Sequence, residues 1–205
     1  MTDATFIRAY APRDYADVSR ICLLTAAGGD DATGQYSSDD LMPDLFARPY
    51  IELEPDSAFV VETGGRVAGY VICAPDTARF VRRLREQWVP RLAEKYEHVT
   101  PPRSQDERMR HLGFTPELIL LPEAELAAYP AHLHIDLMPE LRRRGHGRAL
   151  IERLVSHLRE RGVPGLHLSV AAANLSARAF YARVGFRDLP SSTPADPRLG
   201  LRIGG

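Results

Sequence analysis

One stretch near the middle of the chain, residues 133–150, constrains the fold more than any other. Its first part alternates the apolar Leu133, Ile135 and Leu137 with other side chains, which is the period of a β-strand. Pro139 ends that strand because proline lacks the backbone N–H that a ladder needs. After a loop rich in arginine and glycine, apolar residues recur at helical spacing. The stretch therefore predicts a strand, a glycine-bearing loop and a helix in direct succession.

The loop between that strand and helix is suited to holding an anion. The first N–H groups of a helix have no partner within the helix, and they carry the positive end of its dipole. Gly145 and Gly147 let a ligand approach the main chain closely, and the neighbouring arginines add charged donors. We therefore expect residues 142–148 to bind a pyrophosphate.

Two common nucleotide-binding patterns do not fit this loop. The phosphate-loop pattern GxxxxGK[ST] is absent from the chain, which argues against nucleotide triphosphate hydrolysis. The dinucleotide pattern GxGxxG fails because Leu150 stands where a third glycine is required. The pattern that fits is R-x-x-G-x-G after L-x-P, and its residues are Leu137, Pro139, Arg142, Gly145 and Gly147. An arginine-rich helix start with ordinary capping glycines is the alternative.

Bulk properties are those of an ordinary globular protein. The 205 residues, 44% of them apolar, predict a single domain over residues 1–205 with an inserted helical and loop segment at about 76–130. The formal net charge of -1 does not favour nucleic acid or a membrane surface. Cys22 and Cys73 lie in apolar segments and indicate buried thiols in a reducing compartment. Without a signal-peptide pattern or a membrane-length apolar run, we expect a cytoplasmic location.

The remaining segments predict a mixed α/β fold. Periodicity along the chain indicates the element order β α α β β α β α β α β, without internal repeats. The strands near residues 133 and 166 are each followed by a helix, which predicts a parallel pair with a right-handed crossover. Ligands favour the carboxyl ends of such strands.

A second motif has the same implication as the loop. Residues 174–186 read NLSARAFYARVGF and resemble the segment N-x-x-A-x-x-F-Y-x-x-x-G-F of the GCN5-related N-acetyltransferases (GNAT). The R-x-x-G-x-G loop resembles the acetyl-CoA signature of the same superfamily, and the two motifs occur in the expected order. The resemblance implies a central, twisted, mostly antiparallel sheet that splays at two parallel strands and is flanked by helices. Segments such as GGDDATGQY and YPAHLHID also resemble the acetyltransferase-like C-terminal domain of animal O-GlcNAcases.

The resemblance implies acetyl-CoA as cosubstrate, no metal, and direct attack of an amine on the thioester. The cofactor-binding residues that it implies are Leu137, Met138, Arg142, Arg143, Arg144, Gly145, His146, Gly147, Arg148, Asn174 and Tyr181. Tyr181 would protonate the leaving thiolate as a general acid, and Asp136 is the preferred general base over His132 and His134 on the same strand face. The alternatives are a core tyrosine at 181, a helix cap at 174 and a strand face whose polar groups only bond their neighbours.

The resemblance also implies that the acidic loop after the first helix shapes the acceptor site. The residues predicted there are Asp30, Asp31, Gln35 and Tyr36, with Trp88 as a wall of the site or as a core residue. We expect the acceptor to be a small-molecule amine or a protein lysine, and the protein to be a monomer or homodimer. An acyl-CoA-binding recognition module without turnover is the alternative function.

Overall fold

The computed structural model describes residues 5–204, and its strands form a seven-stranded sheet. The strands are β1 (Thr5–Ala9), β2 (Ala58–Thr63), β3 (Arg66–Ala74), β4 (Ala131–Leu137), β5 (Gly165–Ser169), β6 (Arg187–Asp188) and β7 (Arg198–Arg202). The helices are α1 (Tyr15–Thr25), α2 (Leu41–Phe46), α3 (Arg48–Leu53), α4 (Thr77–Arg83), α5 (Val89–Ala93), α6 (Gln105–Phe114), α7 (Glu123–Ala128), α8 (His146–Glu160) and α9 (Leu175–Arg183). The strand order is β1-β2-β3-β4-β5-β7-β6, and β4 and β5 are the parallel neighbours. The predicted mixed, mostly antiparallel architecture is confirmed.

The parallel pair opens after a short contact. β4 and β5 are in register only where Ala131 meets Leu166 and His132 meets His167. Beyond that point β4 continues to Leu137 along β3, with which it is antiparallel. The β5 side of β4 therefore borders a groove instead of a strand, which is the splay that the resemblance implies.

Two hydrophobic clusters cover the two faces of the sheet. Side chains alternate along a strand, so Tyr70 and Ile72 of β3 pack with α1, α3 and α4, while Val71 and Cys73 pack with α8. β3 is buried on both faces for this reason, which explains its nearly continuous apolar sequence. Cys22 lies in the first cluster and is, like Cys73, a buried free thiol.

The inserted segment between β3 and β4 consists of short helices. α4 continues through a wide π turn, Leu84–Trp88, into α5, and Pro90 lies in the first turn of α5. α6 forms where apolar periodicity is weak, because Ser104 and Glu107 make a reciprocal capping box at its start. Among the helices of residues 5–204, none combines the length and apolarity needed to cross a bilayer.

Candidate active site

The turn between β4 and α8 presents a row of backbone amides at the start of a helix. Gly145 precedes α8 as its N-cap with a φ of 87°, and the first helical hydrogen bond runs from Ala149 N to Gly145 O at 3.0 Å. Within residues 5–204, no acceptor pairs with the backbone N–H groups of Arg143, Arg144, Gly145, His146, Gly147 and Arg148. Six donors at the positive end of a 15-residue helix fit the oxygens of a pyrophosphate.

Both positions of this turn require glycine, one for its backbone conformation and the other for lack of space. The φ of Gly145 lies in the left-handed region, which disfavours other residues. A Cβ atom at Gly147 would lie 3.2 Å from the Phe180 ring and 3.4 Å from the Leu137 side chain. Glycine at 147 therefore lets the start of α8 approach β4 and α9 closely.

The arginines of the turn divide into two groups. Arg142 donates from Nε to Leu137 O at 3.0 Å and from Nη2 to Gly29 O, so its guanidinium joins the end of β4 to the loop after α1. Arg148 donates to the Arg183 carbonyl at 3.2 Å. The side chains of Arg143 and Arg144 are exposed and have no polar partner between residues 5 and 204. The side chains of these two arginines are thus available to bind a ligand.

The end of β4 directs one free amide into the groove. Met138 N donates to Ala68 O at 2.9 Å, so the N–H of Met138 faces β3. Backbone groups alternate in direction along an antiparallel strand, so the N–H of Leu137 faces the groove on the opposite side. Of the two cofactor-binding residues predicted at this end of β4, Leu137 therefore offers its N–H to the groove, whereas the N–H of Met138 is already bonded to Ala68 O.

Tyr181 lies on α9 and packs against the same hydrophobic cluster as Leu137 at the end of β4. Its ring is partly buried, with centroids 5.2 Å from Phe180 and 5.4 Å from Phe186. No side chain or carbonyl of residues 5–204 bonds its hydroxyl. Burial, and secondly the charge of Asp136, raise the pKa of Tyr181 above the ordinary value of 10.0. The phenol therefore stays protonated at neutral pH, as a general acid must.

Asp136 faces the same region but is already hydrogen-bonded. Tyr70 Oη donates to Asp136 Oδ2 at 2.6 Å. Burial raises the pKa of Asp136 from its ordinary value, and the Tyr70 hydrogen bond and the Arg142 charge oppose that rise. The carboxylate is thus a stronger proton acceptor than an exposed aspartate.

The loop after α1 connects the arginine–glycine turn to the start of α9, a contact that no sequence pattern predicts. Asn174 caps α9 by accepting from Ala177 N at 3.0 Å, as its capping interpretation predicts. Its Nδ2 also donates to Gly28 O at 3.3 Å, next to the Gly29 carbonyl that binds Arg142. Gly28 and Gly29 have φ values of 68° and 106°, so consecutive glycines were the available sequence signal.

Three histidines line a cavity behind the groove. His132 Nε2 and His134 Nε2 lie 2.7 Å and 3.0 Å from Tyr50 Oη, and His167 Nδ1 lies 2.7 Å from Tyr129 O. Burial lowers the pKa of His134 and of His167 from 6.5 to about 4. The rings are therefore neutral at physiological pH.

These lowered pKa values predict acid sensitivity. The unfolded chain binds more protons than the folded chain between the two pKa values, so stability falls as the pH drops from 6.5 towards 4. We expect His134 and His167 each to lower the free energy of unfolding by about 1 kcal/mol between about pH 7 and about pH 5.5. Urea unfolding at the two pH values measures this loss. His134→Leu should show a smaller loss than the wild type, and equal stability of the wild type at both pH values would contradict the prediction.

The cavity has a volume of about 470 Å³. Its apolar walls come from α2 and the inserted segment and include Phe46, Leu84, Trp88, Leu92, Leu118 and Ile119. Trp88 is 3% exposed and donates from Nε1 to Asp44 O at 2.8 Å, so it is both a wall and a core residue.

The other acceptor residues predicted from the sequence lie outside this cavity. Asp30, Asp31 and Gln35 are exposed, and Asp31 Oδ1 accepts from the backbone and hydroxyl of Thr33 at 2.8 Å and 2.6 Å. Tyr36 is partly buried, and its hydroxyl accepts from Gln105 at 3.1 Å. The structure therefore brings Trp88 to the cavity, and it places this loop elsewhere on the surface.

Comparison with known proteins finds matches to acetyltransferases and to protein O-GlcNAcase. Residues 106–186 match the model of the acetyltransferase (GNAT) family. Rat protein O-GlcNAcase is 28% identical over 182 residues, which are 87% of this chain and 20% of that protein. The chain thus spans about a fifth of that relative. The [ribosomal protein bS18]-alanine N-acetyltransferase of Escherichia coli K12 is 40% identical over 70 residues, which are 34% of this chain and 43% of that enzyme.

A solved structure matches nearly the whole chain. The crystal structure of SsHAT superposes with a TM-score of 0.91 at 43% sequence identity, and the match covers 98% of this chain and 100% of that one. The likeness extends over the groove, the inserted segment and the cavity.

Proposed function

The chain belongs to the GNAT family of N-acetyltransferases, and from that membership we propose that it transfers the acetyl group of acetyl-CoA to a primary amine. The observation that carries the proposal is the row of six backbone amides at residues 143–148, which have no acceptor within residues 5–204 and lie just past the end of the groove beside β4. A pyrophosphate would bind these amides, and the exposed Arg143 and Arg144 would add charge. His146 and Gly147 would contribute through their backbones, and Arg142, Arg148 and Asn174 would hold the surrounding loops in place.

The same groove supports a direct reaction. The amine nitrogen would attack the acetyl carbon, while the N–H of Leu137 stabilises the developing oxyanion by about 3–4 kcal/mol. The carbon–sulfur bond then breaks, and the sulfur takes the hydroxyl proton of Tyr181. Asp136 would receive the proton that the amine loses, because its raised pKa makes it a better acceptor than a free carboxylate.

Calorimetry with acetyl-CoA and an assay of thiol release with a panel of primary amines test the proposal. We expect saturable binding at micromolar concentrations and amine-dependent release of CoA. An absence of binding at tens of micromolar would remove the proposal.

A binding module without turnover is the second candidate. It is favoured by the Tyr70 hydrogen bond that already occupies Asp136, the proposed base. That function requires acetyl-CoA binding without acetyl transfer to any amine of the panel, so the same two measurements separate the candidates.

We also propose a cellular location, an acceptor class and an oligomeric state. We propose a cytoplasmic protein, because both cysteines are free buried thiols. The acceptor would be a small-molecule amine or a protein lysine, and the protein would act as a monomer or homodimer.

A further inference from the structure

Hydrogen bonds around Tyr50 assign the tautomers of two cavity histidines. Thr77 Oγ1 donates to Pro130 O at 2.6 Å, so at 2.8 Å it accepts from His132 Nδ1. His132 Nε2 then carries a lone pair and accepts from the Tyr50 hydroxyl at 2.7 Å. Tyr50 in turn accepts from the Nε2–H of His134 at 3.0 Å. His134 Nδ1 therefore carries no proton and has a free lone pair.

That lone pair has no partner among the residues that the structure describes. His134 lines the cavity, and within residues 5–204 no donor bonds its Nδ1. The chain of hydrogen bonds behind it is buried, since His132 is 3% and Tyr50 is 2% exposed. Each donor in this series of hydrogen bonds already has an acceptor. The ring of His134 is therefore held in a single tautomer, with Nδ1 as the free acceptor.

A second imidazole repeats the pattern independently. His167 Nδ1 donates to Tyr129 O at 2.7 Å, which leaves Nε2 as an acceptor. His167 is 3% exposed, and its Nε2 is a buried nitrogen without a partner in the described part of the chain. A buried acceptor without a donor is costly, so a ligand or water that donates to it is expected. The polar groups of the cavity thus favour a ligand that donates hydrogen bonds.

Charges in the cavity are already neutralised. Asp44 is 2% exposed and accepts from Arg48 at 2.7 Å and from Lys95 at 2.9 Å. Asp196 at the rim pairs with Arg198 at 2.8 Å. No carboxylate of the lining is left to hold a polycation, and the imidazoles are neutral.

The remaining walls are apolar up to the entrance. Leu112 and Leu118, which line the cavity, are among the large apolar side chains that stay exposed, at 37% and 48%. Apolar walls with a few directed polar groups are typical of sites for small ligands with apolar bodies. The volume of about 470 Å³ is large enough for an aromatic ring with a short side chain.

We infer that this cavity binds the acceptor as a primary amine on an apolar, aromatic-sized body, with the amine nitrogen donating to His134 Nδ1. The inference rests on the proposed function and names its substrate class. A neutral primary amine has two N–H donors and one lone pair, so it can donate to the imidazole and still attack the thioester. Tyr50 is a positioning residue, because it holds the ring of His134 without contacting the amine.

The single tryptophan of the chain allows a test that does not depend on turnover. Trp88 lines the cavity, and its fluorescence reports binding there. We expect 2-phenylethylamine, added with CoA present, to change this emission saturably, whereas 3-phenylpropionate, with the same ring and no donor, leaves it unchanged. In the acetylation assay, kcat/KM for 2-phenylethylamine should exceed that for spermidine or a lysine peptide by at least about tenfold.

Two variants locate the amine. His134→Leu should weaken the fluorescence response to 2-phenylethylamine by at least about tenfold, because it removes the lone pair and keeps an apolar wall. His111→Leu changes a histidine of α6 that does not line the cavity, so it should bind like the wild type. Equal binding by His134→Leu would overturn the role of His134.

The outcomes separate this inference from the proposed function. A Trp88 response to 2-phenylethylamine without acetylation would support the cavity and contradict the transferase. Acetylation of spermidine or of the lysine peptide, without a Trp88 response to 2-phenylethylamine, would support the transferase and overturn the inference. A protein that binds acetyl-CoA but neither binds nor acetylates any of these amines would overturn the inference too.

Discussion

Replacing Tyr181 by phenylalanine should lower kcat for acetyl transfer by roughly ten- to a thousandfold, with little change in the affinity for acetyl-CoA. The change removes only a hydroxyl that has no partner among residues 5–204, so the packing of the ring on Phe180 and Phe186 is kept. Without that hydroxyl the leaving sulfur must depart as a thiolate or take its proton from water, and the loss of a general acid has this range of effects. Steady-state kinetics together with calorimetry measure both quantities.

Tyr15→Phe is the matched control for this prediction. Tyr15 also has a partly buried ring, but it packs in the other hydrophobic cluster, and its hydroxyl donates to Glu52 at 3.0 Å. We expect this variant to keep the wild-type kcat. If Tyr181→Phe turned over as fast as Tyr15→Phe, Tyr181 would be a packing residue, as its alternative interpretation states.

Replacing Gly145 by valine should weaken acetyl-CoA binding by at least about tenfold, because each misdirected amide loses a charge-assisted hydrogen bond. Gly145 has a φ of 87°, and a left-handed conformation costs other residues about 1–2 kcal/mol. No atom lies within 4 Å of the added Cβ, so strain in the turn, not a clash, is the cause. Calorimetric titration with acetyl-CoA gives the dissociation constant.

Gly162→Val separates loss of binding from loss of stability. Gly162 follows α8, has a φ of 70°, and likewise has no atom within 4 Å of the position that a Cβ would take. Both variants should lose about 1–2 kcal/mol of unfolding free energy, and only Gly145→Val should lose affinity. Equal affinities in the two variants would contradict the assignment of the pyrophosphate to the turn at 143–148.

Local patterns carried most of the fold prediction. The alternation through Leu137, the stop at Pro139 and the helical spacing after Gly147 are properties of neighbouring residues, and β4 and α8 follow them. The superfamily resemblance drawn from two short motifs is confirmed by the match over residues 106–186 and by the solved structure at 43% identity.

Two features, the helix α6 and the contacts of Gly28 and Gly29, have little or no signal in the local sequence. α6 has little apolar periodicity, and only the S-x-x-E pattern at Ser104 marks its start. The role of Gly28 and Gly29 involves carbonyls that receive hydrogen bonds from Arg142 and Asn174, more than 100 residues away. Nothing in the local sequence specifies such a partner.

The sequence by itself determined the strand–turn–helix unit and therefore the anion site, because a helix start exposes its amides wherever the rest of the chain lies. Only the tertiary structure decided which arginines are free and which histidines have an open lone pair. Arg142 and Arg143 are adjacent in sequence, yet Arg142 is taken by Leu137 O and Gly29 O. His134 depends on Tyr50, which is 84 residues away. The physical reason is that hydrogen-bond partners are assigned by packing across the sheet, where contacts do not follow sequence spacing.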